Sequence, residues 1–157
     1  MLNEKVQDVI TMKGRVRACL WDENGNLKQE QVVDNLVVTA GKAGIASNLT
    51  AGSPTPASMR VNKIALGTGT NSPAAGDTTL QTETYRKNTA SAASASNVAT
   101  ITGYFTATET SGTFREAGLF MSGTASADTG TLLSRVAINI TKTTSDTLTI
   151  EWTITIS

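Results

Sequence analysis

Residues 148–156 read Leu-Thr-Ile-Glu-Trp-Thr-Ile-Thr-Ile, apolar at each even position and polar at each odd one. A strict period of two predicts a strand with one face on a core and the other toward solvent or a partner. Residues 132–140 alternate in the same way, Ser134 excepted, and Thr143-Thr144-Ser145-Asp146 reads as the hairpin loop between the two. Further strands are expected at 98–107 and 113–121, with Thr110-Ser111-Gly112 as their turn, and at 59–67, before a Gly/Pro/Asn loop that runs to Asp77. Residues 14–21 and 27–34 form an N-terminal hairpin around Asp22-Glu23-Asn24-Gly25-Asn26. Its Asn-Gly pair predicts a type I′ turn, in which both central residues have positive φ. One helix is expected at 39–49, capped by Thr39 and stopped by Gly52 and Pro54. Gly41 and Gly44 weaken it, so packing against the sheet has to hold it.

Two segments lack a core pattern. Residues 89–96 (Thr-Ala-Ser-Ala-Ala-Ser-Ala-Ser) are small and of low complexity, and read as a flexible hairpin tip. Residues 1–12 carry scattered apolar side chains without alternation and read as an N-terminal segment or docking arm. The expected fold is therefore all-β: an antiparallel β-sandwich of about seven to eight strands over residues 13–157, with one short helix.

Composition supports this and removes several functions. Of 157 residues, 27 are threonine, a β-branched residue suited to a pleated, half-buried surface. Thirteen basic and thirteen acidic side chains cancel, so the electrostatic footprint of a nucleic-acid or anionic-membrane binder is missing. The chain has no histidine, which excludes Ser-His-Asp and Cys-His hydrolases and histidine-ligated metals. Its single cysteine, Cys19, reads as a small buried residue, and zero internal disulfides suit a protein made in a reducing cytoplasm. No apolar run is long enough for a membrane span, and the first residues lack the pattern of a signal peptide.

Candidate chemistry is sparse. Asp22-Glu23-Asn24-Gly25-Asn26 resembles the opening of a calcium loop but lacks the closing glutamate. Gly67-Thr68-Gly69-Thr70 suggests a phosphate cradle, yet no Gly-Lys-Ser/Thr follows and Asn71-Ser72-Pro73 makes a turn. Glu83, Glu109, Glu116 and Glu151 could supply a glycosidase pair, but seven aromatics leave little for sugar stacking. The sequons at Asn48 and Asn139 mean little without a secretory signal. Three charges lie inside otherwise apolar strands, Arg86, Glu116 and Arg135, where a charge must be paired or face outward. They are structural or subunit-interface candidates. No catalytic residue, metal site or cofactor is expected.

The ordered set Ile64-Ala65-Leu66-Gly67-Thr68-Gly69-Thr70, Pro73, Asp77-Thr78-Thr79-Leu80, Glu83 with Arg86, Arg115-Glu116-Ala117-Gly118-Leu119-Phe120 and Leu132-Leu133-Ser134-Arg135 resembles a family of tailed-bacteriophage virion proteins. These are described as tail-fibre, collar or head-decoration proteins. Asn24-Gly25-Asn26, Asn35-Leu36-Val37-Val38 and Thr39-Ala40-Gly41-Lys42 extend the similarity over most of residues 13–156. The resemblance implies a non-enzymatic structural role on the virion exterior, in a protein made in the bacterial host cytoplasm. Its partners would be copies of itself, with a trimer as first expectation, and a larger capsid, neck or tail protein. The alternative is a fibre module that recognises host-surface carbohydrate; against it, Trp21 and Trp152 both sit in strands where core packing is the simpler role.

Overall fold

The computed structural model describes residues 9–50 and 60–157. In chain order the elements are β1 (Met12–Trp21), β2 (Leu27–Val37), α1 (Thr39–Thr50), β3 (Val61–Gly67), β4 (Glu83–Asn88), β5 (Ser91–Ala95), β6 (Val98–Phe105), β7 (Gly112–Met121), β8 (Thr131–Lys142) and β9 (Thr147–Ile156). All strand pairs are antiparallel, in one sheet ordered β4-β3-β7-β8-β2-β1-β9-β6-β5. The all-β fold with a single helix is thus the one the alternation predicts. Among the described residues its strands number nine, against about seven to eight expected.

The sheet curls back on itself into two layers. Strands β5, β6, β9, β1 and β2 form the first layer, and β4, β3, β7 and β8 form the second. β2 belongs to both, for its last residues leave β1 and pair with β8 through Leu36↔Arg135 and Val37↔Ser134. Between the layers lies the main core, where Ile101, Phe105, Leu148, Ile150 and Trp152 of the first layer meet Ile64, Leu66, Leu119, Val136 and Ile140 of the second. Gly103 lets the two approach closely, since a Cβ there would fall 2.5 Å from Ile64 Cδ1. At the open side Tyr85 of β4 meets Phe105 of β6 edge-to-face, with ring centroids 6.1 Å apart.

A second, smaller cluster lies on the outer face of the second layer, where Ala65, Phe120 and Leu132 are covered by Val38 and by Leu80 of the 68–82 loop. Alternation explains the division: Ile64 and Leu66 point inward and Ala65 outward. Burial of Leu80 contributes about 1.5–3 kcal/mol toward holding the loop down.

Helix α1 starts one residue earlier than a Thr39 cap would place it. The Val38 carbonyl accepts the first helical bond, from Lys42 N–H, while Thr39 N–H donates to Ala75 O at 2.8 Å. A loop carbonyl replaces the expected side-chain cap. Gly41 is the helix's buried residue; a Cβ on it would stand 2.8 Å from Leu133 Cα and O, so the helix rests on β8 backbone to backbone. The expected stops Gly52 and Pro54, and the strand residue Met59, lie outside the described residues.

The β1–β2 turn differs from type I′. Among the described residues only Gly25 of the Asn-Gly pair has positive φ, 79°. Gly25 N–H donates to Asp22 O, and Asp22 N–H to Asn26 O, which makes a type I turn closed by a left-handed glycine. The Asp22 carboxylate decides this by accepting from the side-chain amide of Asn26 and from Asn26 and Asn24 N–H, bonds that also hold its pKa below the ordinary value. Residues 89–96, expected as a flexible tip, contain edge strand β5, paired with β6 from Ser91↔Thr102 to Ala95↔Val98. Backbone ladder bonds order it without any core-forming side chain.

Residues 1–8 of the expected N-terminal segment lie outside the described residues. Thr11 and Met12 join the sheet: Met12 pairs with Ile156, and Thr11 exchanges backbone hydrogen bonds with Ser157. No helix among the described residues is long and apolar enough to cross a membrane.

Candidate functional site

The three strand charges fall on one face of the second layer. Arg86 pairs with Ala65, Ala65 with Gly118 and Gly118 with Arg135, so both arginines stand in the row that Gly118 crosses. Glu116, two residues before Gly118 on β7, shares that outward face. Loops 68–82 and 122–130 cover it.

Glu116 is 1% exposed and organises the longer loop. Its Oε1 accepts from Gly69 N–H at 3.0 Å and Thr82 N–H at 2.8 Å, and its Oε2 from Gln81 N–H at 3.0 Å. Arg135 adds Nε at 3.0 Å and Nη2 at 2.8 Å. The cradle suggested by Gly67-Thr68-Gly69-Thr70 exists, and its anion is this carboxylate rather than a phosphate. Both glycines are needed for it, because a Cβ at Gly67 or Gly69 would come within 2.6 and 2.4 Å of Glu116 Oε1. Arg135 continues the chain of contacts, donating to Asp77 Oδ2 at 2.6 Å and to Asn71 O at 3.1 Å. Burial pushes the Asp77 carboxyl up. Hydrogen bonds from Ala74 N–H and Arg135, with the guanidinium's charge, outweigh this and leave it below the usual carboxylate value.

Arg86 performs the matching task on the shorter loop. It forms a two-pronged pair with Glu83, both side chains almost fully buried. Its Nη1 donates to Thr129 O at 2.9 Å and to Thr129 Oγ1 at 3.0 Å, and the guanidinium lies over the Phe120 ring at 4.6 Å from the centroid. All three candidate residues are therefore engaged within their own chain.

Two other buried charges carry weight that the sequence did not advertise. Lys142, 1% exposed, donates to Ala107 O, Thr110 O and Thr143 O and ties together the turns at one end of the second layer. Burial lowers its pKa. Asp146 takes Lys28 Nζ at 2.8 Å and closes its own hairpin by accepting from Thr143 N–H and Oγ1. These bonds, the Lys28 contact foremost, pull it down to about 2.

Of the glutamates weighed as a glycosidase pair, Glu83 and Glu116 hold arginines, Glu109 holds Lys87 and Glu151 is exposed. Trp152 is fully buried and Trp21 half-buried. Cys19 is buried, which pushes its thiol up. Among the described residues no group of three acidic, cysteine or histidine side chains could hold a metal ion. Comparison with known protein families, curated proteins and solved structures finds no match to this chain.

Proposed function

We propose that this chain is a non-enzymatic structural subunit on the exterior of a tailed-bacteriophage virion, as head decoration or as a fibre or collar module. It is made in the host cytoplasm, associates with its own copies and docks on a larger virion protein. The observation that supports this reading is the use made of the residues that carry the resemblance. Gly67, Gly69, Asp77, Leu80, Glu83, Arg86, Glu116 and Arg135 converge on one face of the fold and tie two loops onto it. A motif set that braces architecture suits a subunit whose task is to hold its shape. The outer face of the first layer carries Thr100, Thr102, Thr153 and Thr155 on neighbouring strands, with Lys13, Arg15 and Glu151 in the adjoining ladder positions, a polar surface on which copies could pair.

Mass spectrometry of purified mature virions tests the reading. The chain should be found in intact particles and lost from the surface under conditions that strip exterior proteins. Its absence from particles would overturn the proposal.

A further inference from the structure

Between the start of β1 and helix α1 runs a groove of about 420 Å³, lined by Ile10, Thr11, Met12, Lys13, Lys42 and Ile45. Its floor is continuous with the molecule, for Met12 and Ile45 pack against the main core. Its rim is cationic, and among the described residues neither Lys13 nor Lys42 has an ion-pair partner. Apolar surface continues beyond it: Ile10 is 79% and Val9 70% exposed, and Leu49, one helical turn after Ile45 on the same face of α1, is 84% exposed.

We propose that this groove receives residues 1–8 of a second copy of the chain, an inference that rests on the self-association in the functional reading above. The segment Met-Leu-Asn-Glu-Lys-Val-Gln-Asp offers Leu2 and Val6 to the apolar floor and Glu4 and Asp8 to the two lysines. Its own groove is the wrong target. Thr11 is fixed by paired backbone bonds to Ser157, and Ile10 itself forms the groove wall, so filling it from the same chain needs an immediate reversal. Residues 1–12 contain no glycine or proline, and the one turn-forming residue beside Val9 and Ile10 is Asp8, which the contact between copies uses for a lysine. Eight residues reach at most roughly 26–29 Å, enough to cross to a neighbour. Each copy gives an arm and accepts one, which closes a symmetric assembly.

Light scattering on the full chain and on a variant lacking residues 1–8 tests this. The full chain should be an oligomer, and the shortened one should fall to the mass of a single chain with an unchanged circular dichroism spectrum. Lys13→Glu with Lys42→Glu should weaken association by roughly tenfold, the effect of two exposed ion pairs, and adding Glu4→Lys with Asp8→Lys should restore it. An oligomer that survives the deletion, or a charge reversal without effect or rescue, would overturn the arm-and-groove contact while leaving self-association in place. A full chain that stays monomeric at high concentration would overturn both.

Discussion

Glu116 accepts three backbone N–H bonds and the guanidinium of Arg135 at a point where solvent cannot substitute for any of them. Glu116→Gln keeps the shape but replaces one acceptor oxygen by a donor, leaving a buried N–H facing a buried NH₂ and Arg135 without its main counter-charge. Breaking such a pair from one side costs about 3–5 kcal/mol, far more than an exposed pair would. Urea denaturation should therefore show a midpoint well below that of the parent chain. The sequence marked Glu116, Arg135 and Arg86 as anomalies because charges inside apolar strands need partners. It did not identify the partners, since Asp77 lies in a loop and comes to Arg135 only when Leu80 seats that loop on Gly118.

At the scale of elements, α1 gives a test with opposite signs at two positions. Alanine raises helix propensity over glycine by about 1 kcal/mol. At Gly41 the new Cβ would stand 2.8 Å from the backbone of Leu133, which cannot yield, so Gly41→Ala should destabilise by about 1–3 kcal/mol. At Gly44 the nearest atom is Met121 Cε at 3.0 Å, the tip of a flexible side chain, so Gly44→Ala should be neutral or stabilising by up to about 1 kcal/mol. Thermal denaturation of the two variants compares them directly. The strands with strict alternation were legible from the sequence because burial on one face imposes that period. β5 was not: Ser-Ala-Ala-Ser-Ala has no inward-outward contrast and is held by ladder bonds that composition does not encode. The β1–β2 turn was misread for a related reason, because Asp22 outside the Asn-Gly pair supplies the bonds that select the turn.

The whole molecule is stitched together by carboxylates. Asp146 links β2 to the β8–β9 hairpin, Asp77 anchors the 68–82 loop and Glu109 links β4 to the turn after β6. Each has a lowered pKa; for Glu109, as for Asp77, burial pushes upward and hydrogen bonds, from Lys87 first, outweigh it. A lowered carboxylate stabilises fully above its unfolded value and loses that contribution as pH falls through its folded value. For Asp146 the window runs from 3.8 down to about 2. Stability measured by denaturant should be level from neutral pH to about pH 5 and fall steeply between about pH 4 and pH 2. Asp146→Asn should flatten part of that fall. Alternation predicts two packed layers but not their connection through β2, because the crossing lies in the ladder pairs of Leu36 and Val37, beyond the strand expected at 27–34, where buried and exposed positions no longer alternate.

The pairing of Thr11 with Ser157 also fixes how the molecule answers a pull. β1 and β9 are antiparallel neighbours, matched from Met12↔Ile156 to Trp21↔Thr147. Tension applied at residues 11 and 157 acts on one end of that ladder and opens its bonds one after another, like a zipper, so a small force suffices. Tension drawn along the strands from opposite ends of the sheet would have to shear many bonds at once. A molecule of this shape resists a load better when it is gripped somewhere other than the corner where Thr11 and Ser157 meet.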